Sequence, residues 1–399
     1  MTATFSEVIK RVQSGTHAVI DLDAYGNNVQ VLRSMVGADV ALMAVVKADG
    51  YGHGAVECGR AAIDAGAGML GVARISEALH LRRVGLACPI VVIGPPAVNE
   101  ISLALRHDIT LAVGSRQVLA EVVANVERGG SATVHVKVDT GMHRYGFDPG
   151  EVVEQIQRLA GHTGMSVEGV FSHFTSADEL DESPTVTQID RFWSVVHDLD
   201  LRGLRPAYVH MANSAAVLTG RVEGTNLVRC GIATYGLSPS GETPVDSRFR
   251  PALSLRSRVA RRGVLSPGDG VSYGLSYRAD AREQIAAIPV GYADGLPRGL
   301  SNRGWFVING RLTPIRGRVC MDQIVVSVAE DVAEGDEVVI FGDGSGGEMT
   351  LDDIATMAGT NNYEVATRMM ARVPRVYCRD RQPVAWESVL AGERGRIEG

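Results

Sequence analysis

Residues 41–54 have the sequence ALMAVVKADGYGHG, in which an apolar run ends in a lysine and continues into a glycine-rich loop. Apolar runs of this kind recur along the first part of the chain, with helix-like segments between them. The eight runs are ALMAVV (41–46), MLGVA (69–73), PIVVIG (89–94), ITLAV (109–113), TVHVKV (133–138), VEGVF (167–171), AYVHM (207–211) and NLVRC (226–230). Apolar strands that alternate with helices are typical of parallel sheets. Eight units over about 200 residues favour a (β/α)8 TIM-type barrel, and a doubly wound open sheet is the alternative.

The sequence changes character after the eighth run. Residues 238–251, SPSGETPVDSRFRP, are rich in proline, serine and charge, which is typical of a linker. Asn309-Gly310 separates WFVI from RLTPI and predicts a β-hairpin, because this pair supplies the two positive φ angles of a type I′ turn. Thr350 followed by Asp353 predicts a reciprocally capped helix. The second part is therefore predicted to be mainly antiparallel β structure.

These patterns predict an α/β protein of two domains. The (β/α)8 TIM-type barrel covers residues 14–245, and the mainly antiparallel β domain covers residues 246–388. Residues 389–399 form a polar tail to which we assign no function. Residues 1–13 are a candidate segment for packing on the β domain.

Composition excludes several classes of function. The 399 residues are 45% apolar and 21% charged, with a net charge of -7, so the chain can bury a sizeable core. The negative charge argues against nucleic acid as a partner, because phosphate binding needs clustered positive charge.

No apolar run approaches the roughly 20 residues of a membrane helix, and the first fifteen residues lack the apolar core of a signal peptide. The five scattered cysteines form no CxxC pair, which argues against a disulfide scaffold or a zinc site. We expect a cytoplasmic protein with no metal.

Reactive side chains follow the apolar runs at the places where a barrel would gather them. The active sites of such barrels are built at the C-terminal ends of the strands. Lys47 follows the first run, Arg144 follows the fifth and His173 follows the sixth. Ser214 follows the seventh run, and Arg229 lies within the eighth. The sequence thus predicts one functional site at this end of the barrel.

Lys47 has two structural interpretations and one functional interpretation. A lysine at the end of a buried strand can place its ammonium group at the barrel rim or in an ion pair. Alternatively, a desolvated amine loses its proton and forms a Schiff base with a carbonyl compound. The loop that follows supports the functional interpretation, because Gly50, Gly52 and Gly54 would let the backbone approach a phosphate ahead of a helix.

The stretch VVKADGYGHG (45–54) resembles the lysine signature of alanine racemases, which use pyridoxal phosphate (PLP). The resemblance continues in order from about residue 15 to residue 380. The other matching stretches are VKVDTGMHRYGF (136–147), FSHFTSAD (171–178), HMANSAA (210–216), LVRCGIATYGL (227–237), GVSYGLSY (270–277), IPVGYADG (288–295), GRVCMDQ (317–323), NNYE (361–364) and RVPRVY (372–377). The resemblance implies a PLP-binding barrel followed by a β domain, and the interconversion of L- and D-alanine that supplies D-alanine for peptidoglycan.

The resemblance also implies which residues hold the cofactor. Lys47 would carry PLP covalently and act as one catalytic base, and Arg229 would face the pyridine nitrogen. His173 would pack near the cofactor ring. A set of hydroxyl and backbone groups would hold the phosphate, namely Tyr51, Ser214, Gly231, Ile232 and Tyr363.

A second group of residues would act on the substrate. Tyr273 would be the second base, on the opposite face of the substrate, and would come from the partner subunit of a head-to-tail homodimer. Arg144 would lie near the phenolic oxygen of the cofactor and the substrate carboxylate, while Met321 and Tyr292 would line the substrate pocket. Lys137 matches a lysine that is carbamylated in many members of the family, where it orients the arginine equivalent to Arg144.

Several of these residues also have a purely structural interpretation. Tyr273 and Tyr363 could be half-buried tyrosines of a strand or loop, and Met321 could fill the core. The other structural alternatives are a rim histidine for His173, a helix N-cap for Ser214 and an ion pair with Asp139 for Lys137.

The chain departs from the common pattern of the family at three places. Asp49-Gly50 stands where Asn-Ala is commoner, and Cys230 stands where Phe is common. Asn361-Asn362 stands where Ile followed by a small or polar residue is usual. These departures leave the shape of the phosphate pocket and the substrate preference open.

Three other functions stay open on the sequence alone. A racemase of serine, of lysine or of broad specificity would share every catalytic residue. A PLP-dependent decarboxylase could share the barrel and the β domain, but its lysine motif and glycine-rich phosphate loop would differ. A non-enzymatic PLP carrier would resemble a lone barrel, without the second domain.

Overall fold

The computed structural model describes residues 15–397, which pack as two compact units. The barrel unit comprises residues 26–50 and 55–249, and the sheet unit comprises the described residues up to 25 together with 51–54 and 250–397. The first strand, β1 (His17–Asp21), belongs to the sheet unit. The predicted packing of residues 1–13 lies outside the described residues.

Eight parallel strands form the sheet of the barrel unit. They are β2 (Ala41–Val45), β3 (Met69–Val72), β4 (Ile90–Val92), β5 (Thr110–Val113), β6 (Ala132–Lys137), β7 (Met165–Phe171), β8 (Tyr208–His210) and β9 (Leu227–Cys230). Their spatial order is β8-β7-β6-β5-β4-β3-β2-β9, and a parallel bridge between Asn213 and Arg229 links the two ends. Each strand overlaps one of the apolar runs, so the prediction of a nearly closed barrel is confirmed and the open sheet is not observed.

Helices separate most of these strands. They are α1 (Leu22–Val36), α2 (Ala55–Asp64), α3 (Ile75–Arg83), α4 (Ile101–Leu105), α5 (Arg116–Glu127), α6 (Val152–Ala160), α7 (Ser183–Leu201) and α8 (Ser214–Leu218). The strand residues of β3, β4, β5 and β9 are all buried, which explains why the runs are continuous rather than alternating. Within residues 15–397, the structure contains no helix with the length and apolarity needed to cross a bilayer.

The sheet unit is mainly antiparallel, as predicted. Its strands are β1, β10 (Leu253–Arg258), β11 (Arg261–Leu265), β12 (Gly270–Val271), β13 (Tyr277–Arg278), β14 (Glu283–Ile288), β15 (Trp305–Ile308), β16 (Arg311–Arg316), β17 (Ile324–Ser327), β18 (Glu337–Phe341), β19 (Arg375–Arg379), β20 (Gln382–Ser388) and β21 (Glu393–Arg396). Eleven of them form one sheet, in the order β11-β14-β17-β16-β15-β18-β10-β1-β19-β20-β21, and β12 pairs with β13.

The pairing of β1 changes the domain boundary drawn from the sequence. The sequence assigned residues 14–245 to the barrel, but β1 pairs antiparallel with β10 and parallel with β19. Strand β21 pairs with β20, so part of the segment 389–399 extends this sheet. Backbone hydrogen bonds with distant strands, rather than the position in the chain, therefore assign these segments to the sheet unit.

Local predictions in the second part hold in detail. Asn309 and Gly310 have φ angles of 51° and 70° and join β15 to β16. The Thr350 hydroxyl accepts a hydrogen bond from the Asp353 backbone N–H (3.1 Å), and the Asp353 carboxylate accepts one from the Thr350 N–H (2.8 Å). This capping box begins α9 (Leu351–Ala358), which is followed by α10 (Asn362–Thr367).

Candidate active site

A cavity of about 250 Å³ lies at the carboxyl ends of the barrel strands. Its walls come from residues that end or follow β2, β3, β4, β6 and β7, together with one residue of β9. The lining side chains that carry chemistry are Lys47, Lys137, Arg144, Tyr145, His173 and Arg229. Five of the residues that the sequence singled out therefore meet in one cavity, which contains two guanidinium groups and two lysine amines.

Lys47 opens a turn that is unusual in its handedness. Ala48, Asp49 and Gly50 all have φ and ψ near +50°, and Tyr51 has a φ of 51°. Left-handed turns cost about 1–2 kcal/mol per non-glycine residue, so other contacts must hold this one. Glu77 of α3 provides one of them, because its carboxylate accepts a hydrogen bond from the Ala48 N–H (2.7 Å). The turn fixes the backbone on the C-terminal side of Lys47.

Asp49, which stands where asparagine is commoner in the family, makes a structural hydrogen bond. The Asp49 carboxylate accepts a hydrogen bond from the N–H of Ala55, the first residue of α2 (3.0 Å). An asparagine oxygen could accept the same bond, so the replacement retains the contact between the turn and the helix N-terminus.

The environment of Lys47 favours the neutral amine. Burial lowers the pKa of Lys47 below its ordinary value, and the nearby Arg144 and Arg229 guanidinium groups lower it further against the opposing effect of Glu77. A neutral amine is the form that attacks a carbonyl carbon.

Arg229 is almost completely buried and anchors the floor of the cavity. It donates hydrogen bonds to Nδ1 of His210 (2.8 Å) and Nδ1 of His173 (2.9 Å), and to the carbonyl oxygens of Ser172 (2.8 Å) and Met211 (3.1 Å). Burial lowers the pKa of Arg229 to about 10, so the guanidinium stays charged at neutral pH. Burial also lowers the pKa of His173 well below its ordinary value, and Arg229 adds to the effect.

Lys137 ends β6 inside the barrel and is 2% exposed. Its ammonium group donates to the Val138 carbonyl (2.5 Å) and lies 5.6 Å from the ring centres of Tyr145 and Phe171. Burial, reinforced by Arg229, lowers the pKa of Lys137 to about 7. Lys137 therefore exchanges its proton near neutral pH.

The loop that carries Arg144 is tied at both ends. The Asp139 N–H donates to the Phe147 carbonyl (2.9 Å), and the Phe147 N–H donates to the carbonyl of Lys137 at the end of β6 (2.9 Å). The Asp139 carboxylate accepts from the N–H groups of Gly141 and His143 (3.0 Å each). The predicted pairing of Lys137 with Asp139 thus competes with two backbone donors at the same carboxylate. The closed loop keeps Arg144 at the cavity wall.

A second cluster in the barrel unit suits a phosphate group. The Ser214 hydroxyl accepts hydrogen bonds from the backbone N–H groups of Gly231 (3.0 Å) and Ala233 (3.4 Å), so Ser214, Gly231 and Ile232 lie together. The alternative interpretation of Ser214 as the N-cap of α8 is wrong, because the Asn213 side chain accepts the capping bond from the Ala216 N–H (3.0 Å).

Gly52 and Gly54 lie where other protein atoms come close to the backbone, and the approach of a phosphate to this loop stays a prediction. In the sheet unit, a Cβ atom on Gly52 would lie 2.1 Å from the Ala366 carbonyl oxygen, and one on Gly54 would lie 1.9 Å from the Tyr377 hydroxyl. Both positions need glycine because protein atoms approach the backbone there. Tyr51 and Tyr363 lie in this same unit, with ring centres 6.2 Å apart.

In the sheet unit, contacts of the Ser272 hydroxyl join the loop that carries Tyr273 to the loop that carries Met321. Ser272, just before Tyr273, has a φ of 63°, and its hydroxyl donates to the Arg318 carbonyl (2.8 Å) and lies 3.0 Å from the Cys320 sulfur. Tyr273 itself is 73% exposed, and Met321 is 51% exposed. Tyr273 is therefore held by its backbone while its phenol faces outward.

Tyr292 is fixed to the same loop by a backbone pairing. The N–H groups of Tyr292 and Ala293 donate to the carbonyl oxygens of Cys320 (3.0 Å) and Met321 (3.1 Å). A Cβ atom on Gly291 would lie 2.3 Å from both carbonyl oxygens, so glycine is required for this approach. The structure thus brings Tyr273, Tyr292 and Met321 into one loop cluster.

Comparison with known proteins gives family matches over most of the chain. The family model for the alanine racemase N-terminal domain matches residues 20–239, and the one for the C-terminal domain matches residues 252–377. The chain belongs to the alanine racemase family. The family that the ordered motifs predicted is therefore confirmed, and the interval between the two matches falls in the predicted linker.

Relatives in this family match over nearly their full length. Alanine racemases from Desulforamulus reducens and Thermobifida fusca are 43% and 42% identical to the chain, covering 90% and 92% of it and 98% and 99% of themselves. The crystal structure of alanine racemase from Bacillus anthracis with bound L-Ala-P has a TM-score of 0.88 at 37% identity. It covers 95% of this chain and 99% of its own. The alanine racemase of Streptomyces lavendulae has a TM-score of 0.85 at 40% identity, covering 92% and 97%.

Sequence reasoning missed four residues that shape the site of this family member. Glu77 holds the turn after Lys47, and His210 accepts a hydrogen bond from Arg229. His135 and Glu168 extend the hydrogen bonding beyond His210. A signal was present for three of them, because His135, Glu168 and His210 are polar residues inside apolar strand runs. A buried polar group in a strand requires a partner, and the sequence does not say which.

Proposed function

We propose that the chain is an alanine racemase that uses PLP, with Lys47 as the cofactor lysine and Tyr273 as the second base. The observation that carries the proposal is the amine of Lys47, whose pKa is lowered at the wall of a cavity that also contains Arg144, Lys137 and Arg229. Its membership of the alanine racemase family supports the substrate.

The donor groups of the barrel unit fit PLP. An amine that is readily neutral suits a covalent link to the aldehyde, and the cationic wall suits an anionic cofactor and an amino-acid carboxylate. The hydroxyl of Ser214 and the backbone N–H of Ile232 suit a phosphate, and the Gly231 N–H would exchange its bond to the Ser214 hydroxyl for one to the phosphate. Tyr51 and Tyr363 would add phenol groups. When bound, PLP delocalises the negative charge left on the α-carbon after its proton is removed.

Two bases explain reversible inversion at the α-carbon. Racemisation removes a proton from one face of the substrate and returns a proton to the other face. One base would have to cross between the faces, whereas Lys47 Nζ on one side and Tyr273 Oη on the other each serve one face. Arg144 would hold the substrate carboxylate, and Tyr292 and Met321 would limit the size of the side chain.

Arg229 would determine how strongly the cofactor ring withdraws electrons from the substrate. It lies beside His173 and, with a pKa of about 10, keeps its own protons at neutral pH. A partner of this kind would leave the pyridine nitrogen without a proton, so the ring would be a weaker electron sink. We infer that this suppresses side reactions such as transamination.

Lys137 would be carbamylated and would orient Arg144. Its pKa of about 7 makes the neutral amine, which is the form that reacts with carbon dioxide, abundant at physiological pH. A carbamate would place a negative charge near Arg144 and turn two like charges into an attractive pair.

The complete site would form in a head-to-tail homodimer, with Tyr273 contributed across the interface. The 73% exposure of Tyr273 supports this proposal, because a base that acts on another subunit must project from its own. We place the enzyme in the cytoplasm, where its five free cysteines would stay reduced and its product would serve peptidoglycan synthesis.

The decisive experiment follows the circular dichroism of L-alanine incubated with PLP-loaded protein, with L-serine and L-lysine in parallel. We expect the signal to decay to zero, fastest with alanine. Decay with serine or lysine alone would keep the mechanism and change the substrate. A constant signal in a protein that retains PLP would refute the racemase proposal.

A further inference from the structure

Arg229 lies at one end of a chain of buried hydrogen bonds that the proposed mechanism does not use. The acceptors around its guanidinium group are two imidazoles and two carbonyl oxygens, none of which carries a negative charge. A buried cation that lacks a nearby counter-charge is costly. Its surroundings must compensate in another way.

This series of hydrogen bonds continues from His210 across the barrel to a carboxylate. Nε2 of His210 lies 2.8 Å from Nδ1 of His135, and Nε2 of His135 lies 3.1 Å from a carboxylate oxygen of Glu168. Both imidazoles are fully buried, whereas the Glu168 side chain is 35% exposed. The chain therefore joins the floor of the cavity to a carboxylate that water can reach.

The donor at one end, Arg229, and the acceptor at the other, the Glu168 carboxylate, fix the direction of every bond. A guanidinium group can only donate, so Nδ1 of His210 must accept and cannot carry a proton. The proton of neutral His210 is then on Nε2, which donates to Nδ1 of His135. By the same argument, the proton of His135 is on Nε2, which donates to the carboxylate of Glu168. Both histidines are neutral Nε2–H tautomers.

The backbone is built to permit this chain. The register between β6 and β7 shifts at His135, since Val134 pairs with Val167 but His135 pairs with Gly169. Glu168 is the additional residue at this bulge, and bulges commonly redirect a side chain. A Cβ atom on Gly169 would lie 2.6 Å from the His135 ring, so only glycine leaves room for the imidazole.

Packing holds the second imidazole in the orientation that the chain needs. The Phe171 ring stacks on His210 with centres 4.9 Å apart and planes 4° from parallel. The guanidinium carbon of Arg229 lies 5.3 Å from the centre of the same ring. Phe171 therefore contacts both Arg229 and His210 and restrains their relative positions.

We infer that Glu168 is a positioning residue, which acts through His135 and His210 to fix the orientation of Arg229 and to supply its distant counter-charge. The inference rests on the proposed function of Arg229 and deepens it. Burial lowers the pKa of His210 well below its ordinary value and also lowers that of His135, which agrees with two neutral rings. Aligned hydrogen bonds of this kind polarise one another.

The first test reads the tautomers directly and does not depend on activity. Protein labelled with [15N]histidine, with and without PLP at pH 8, gives the protonation of each ring nitrogen by NMR, and the His135→Gln and His210→Gln variants assign the signals. We expect both rings to carry their proton on Nε2. A proton on Nδ1 of either ring, or a doubly protonated ring, would overturn the inference.

The second test separates the hydrogen bond of Glu168 from its charge. Glu168→Gln keeps an oxygen that accepts from His135, whereas Glu168→Leu removes the acceptor. We expect Glu168→Leu to shift the two histidines from the Nε2–H form. It should also lower kcat for alanine on the order of 10-fold, the effect expected on losing a residue that orients a functional group through hydrogen bonds, with KM nearly unchanged. Glu168→Gln should keep the tautomers and lower kcat by a smaller factor.

The matched control is Glu179→Gln, which changes an exposed carboxylate of the same unit. It should alter neither the histidine signals nor kcat. If Glu168→Leu leaves both the tautomers and kcat as in the unaltered protein, Glu168 does not position Arg229. If the unaltered protein lacks racemase activity, the proposed function fails, while the tautomers still decide whether the directed chain exists.

Discussion

The two compact units present the proposed functional residues in opposite ways. In the barrel unit, Lys137 and Arg229 are buried, and burial lowers the pKa of Lys47 and Lys137. In the sheet unit, Tyr273 and Met321 are more than half exposed on loops held by backbone hydrogen bonds. The barrel unit shifts the pKa values of its side chains by burying them. The sheet unit holds the backbone of its exposed side chains in place.

The difference follows from what each group has to do. An amine must be desolvated to be neutral near pH 7, and only a core supplies that environment. A phenol that serves another subunit must reach beyond its own, so it gains its environment on assembly. The barrel residues should therefore be sensitive to changes within one chain, and Tyr273 should be sensitive to assembly.

The largest expected effect is on the barrel side. Lys47→Ala should lower racemase activity by about 10⁴-fold or more, because it removes a base and the covalent link to the cofactor. Borohydride reduction followed by peptide mass spectrometry should locate PLP on Lys47 in the unaltered protein. The Lys137→Ala variant is the control, since it should still be labelled at Lys47, and labelling at Lys137 would show that the wrong lysine was chosen.

The next effect is on the exposed side. Tyr273→Phe should retain PLP and lower turnover by about 10²–10⁴-fold, which is the range for loss of an acid–base group. Tyr277→Phe is the matched control four residues along the chain, and it should keep its turnover. Racemisation at the normal rate in both directions by Tyr273→Phe would refute the two-base assignment.

Mixing the two inactive variants tests the assembly itself. In a mixed dimer of Lys47→Ala and Tyr273→Phe, one of the two sites has both Lys47 and Tyr273 intact if the tyrosine acts across the interface. Random exchange should then restore about a quarter of the sites, measured as kcat per subunit after co-refolding. If Tyr273 acts within its own chain, mixing restores nothing.

The smallest effect concerns Lys137. Lys137→Ala should lower kcat/KM on the order of 10-fold, since it would misplace Arg144. With [13C]bicarbonate, the unaltered protein should show a carbamate signal by NMR that the variant lacks. The signal should be strong at pH 8 and weak at pH 6, because the amine is mainly protonated below its pKa of about 7. A bare amine at pH 8 would contradict the proposal.

Much of the candidate site was predictable because its residues lie in local patterns. The apolar runs predicted the strands, and Lys47, His173 and Arg229, which follow or lie within such runs, do line one cavity. The role of Gly52 was not predictable, because the atom that requires glycine belongs to Ala366, more than 300 residues away in the chain. Local patterns record which positions need glycine but not which atom approaches them.

The amino-acid sequence by itself determined the eight-stranded barrel, the hairpin at Asn309-Gly310 and the family, because burial period, turn residues and ordered motifs are local properties of the chain. Only the tertiary structure decided that β1 joins the sheet unit and that Arg229, His210, His135 and Glu168 form one directed chain. His135 and His210 are 75 residues apart in sequence. A polar residue in an apolar strand shows that a partner must exist, but the register of the folded barrel selects that partner.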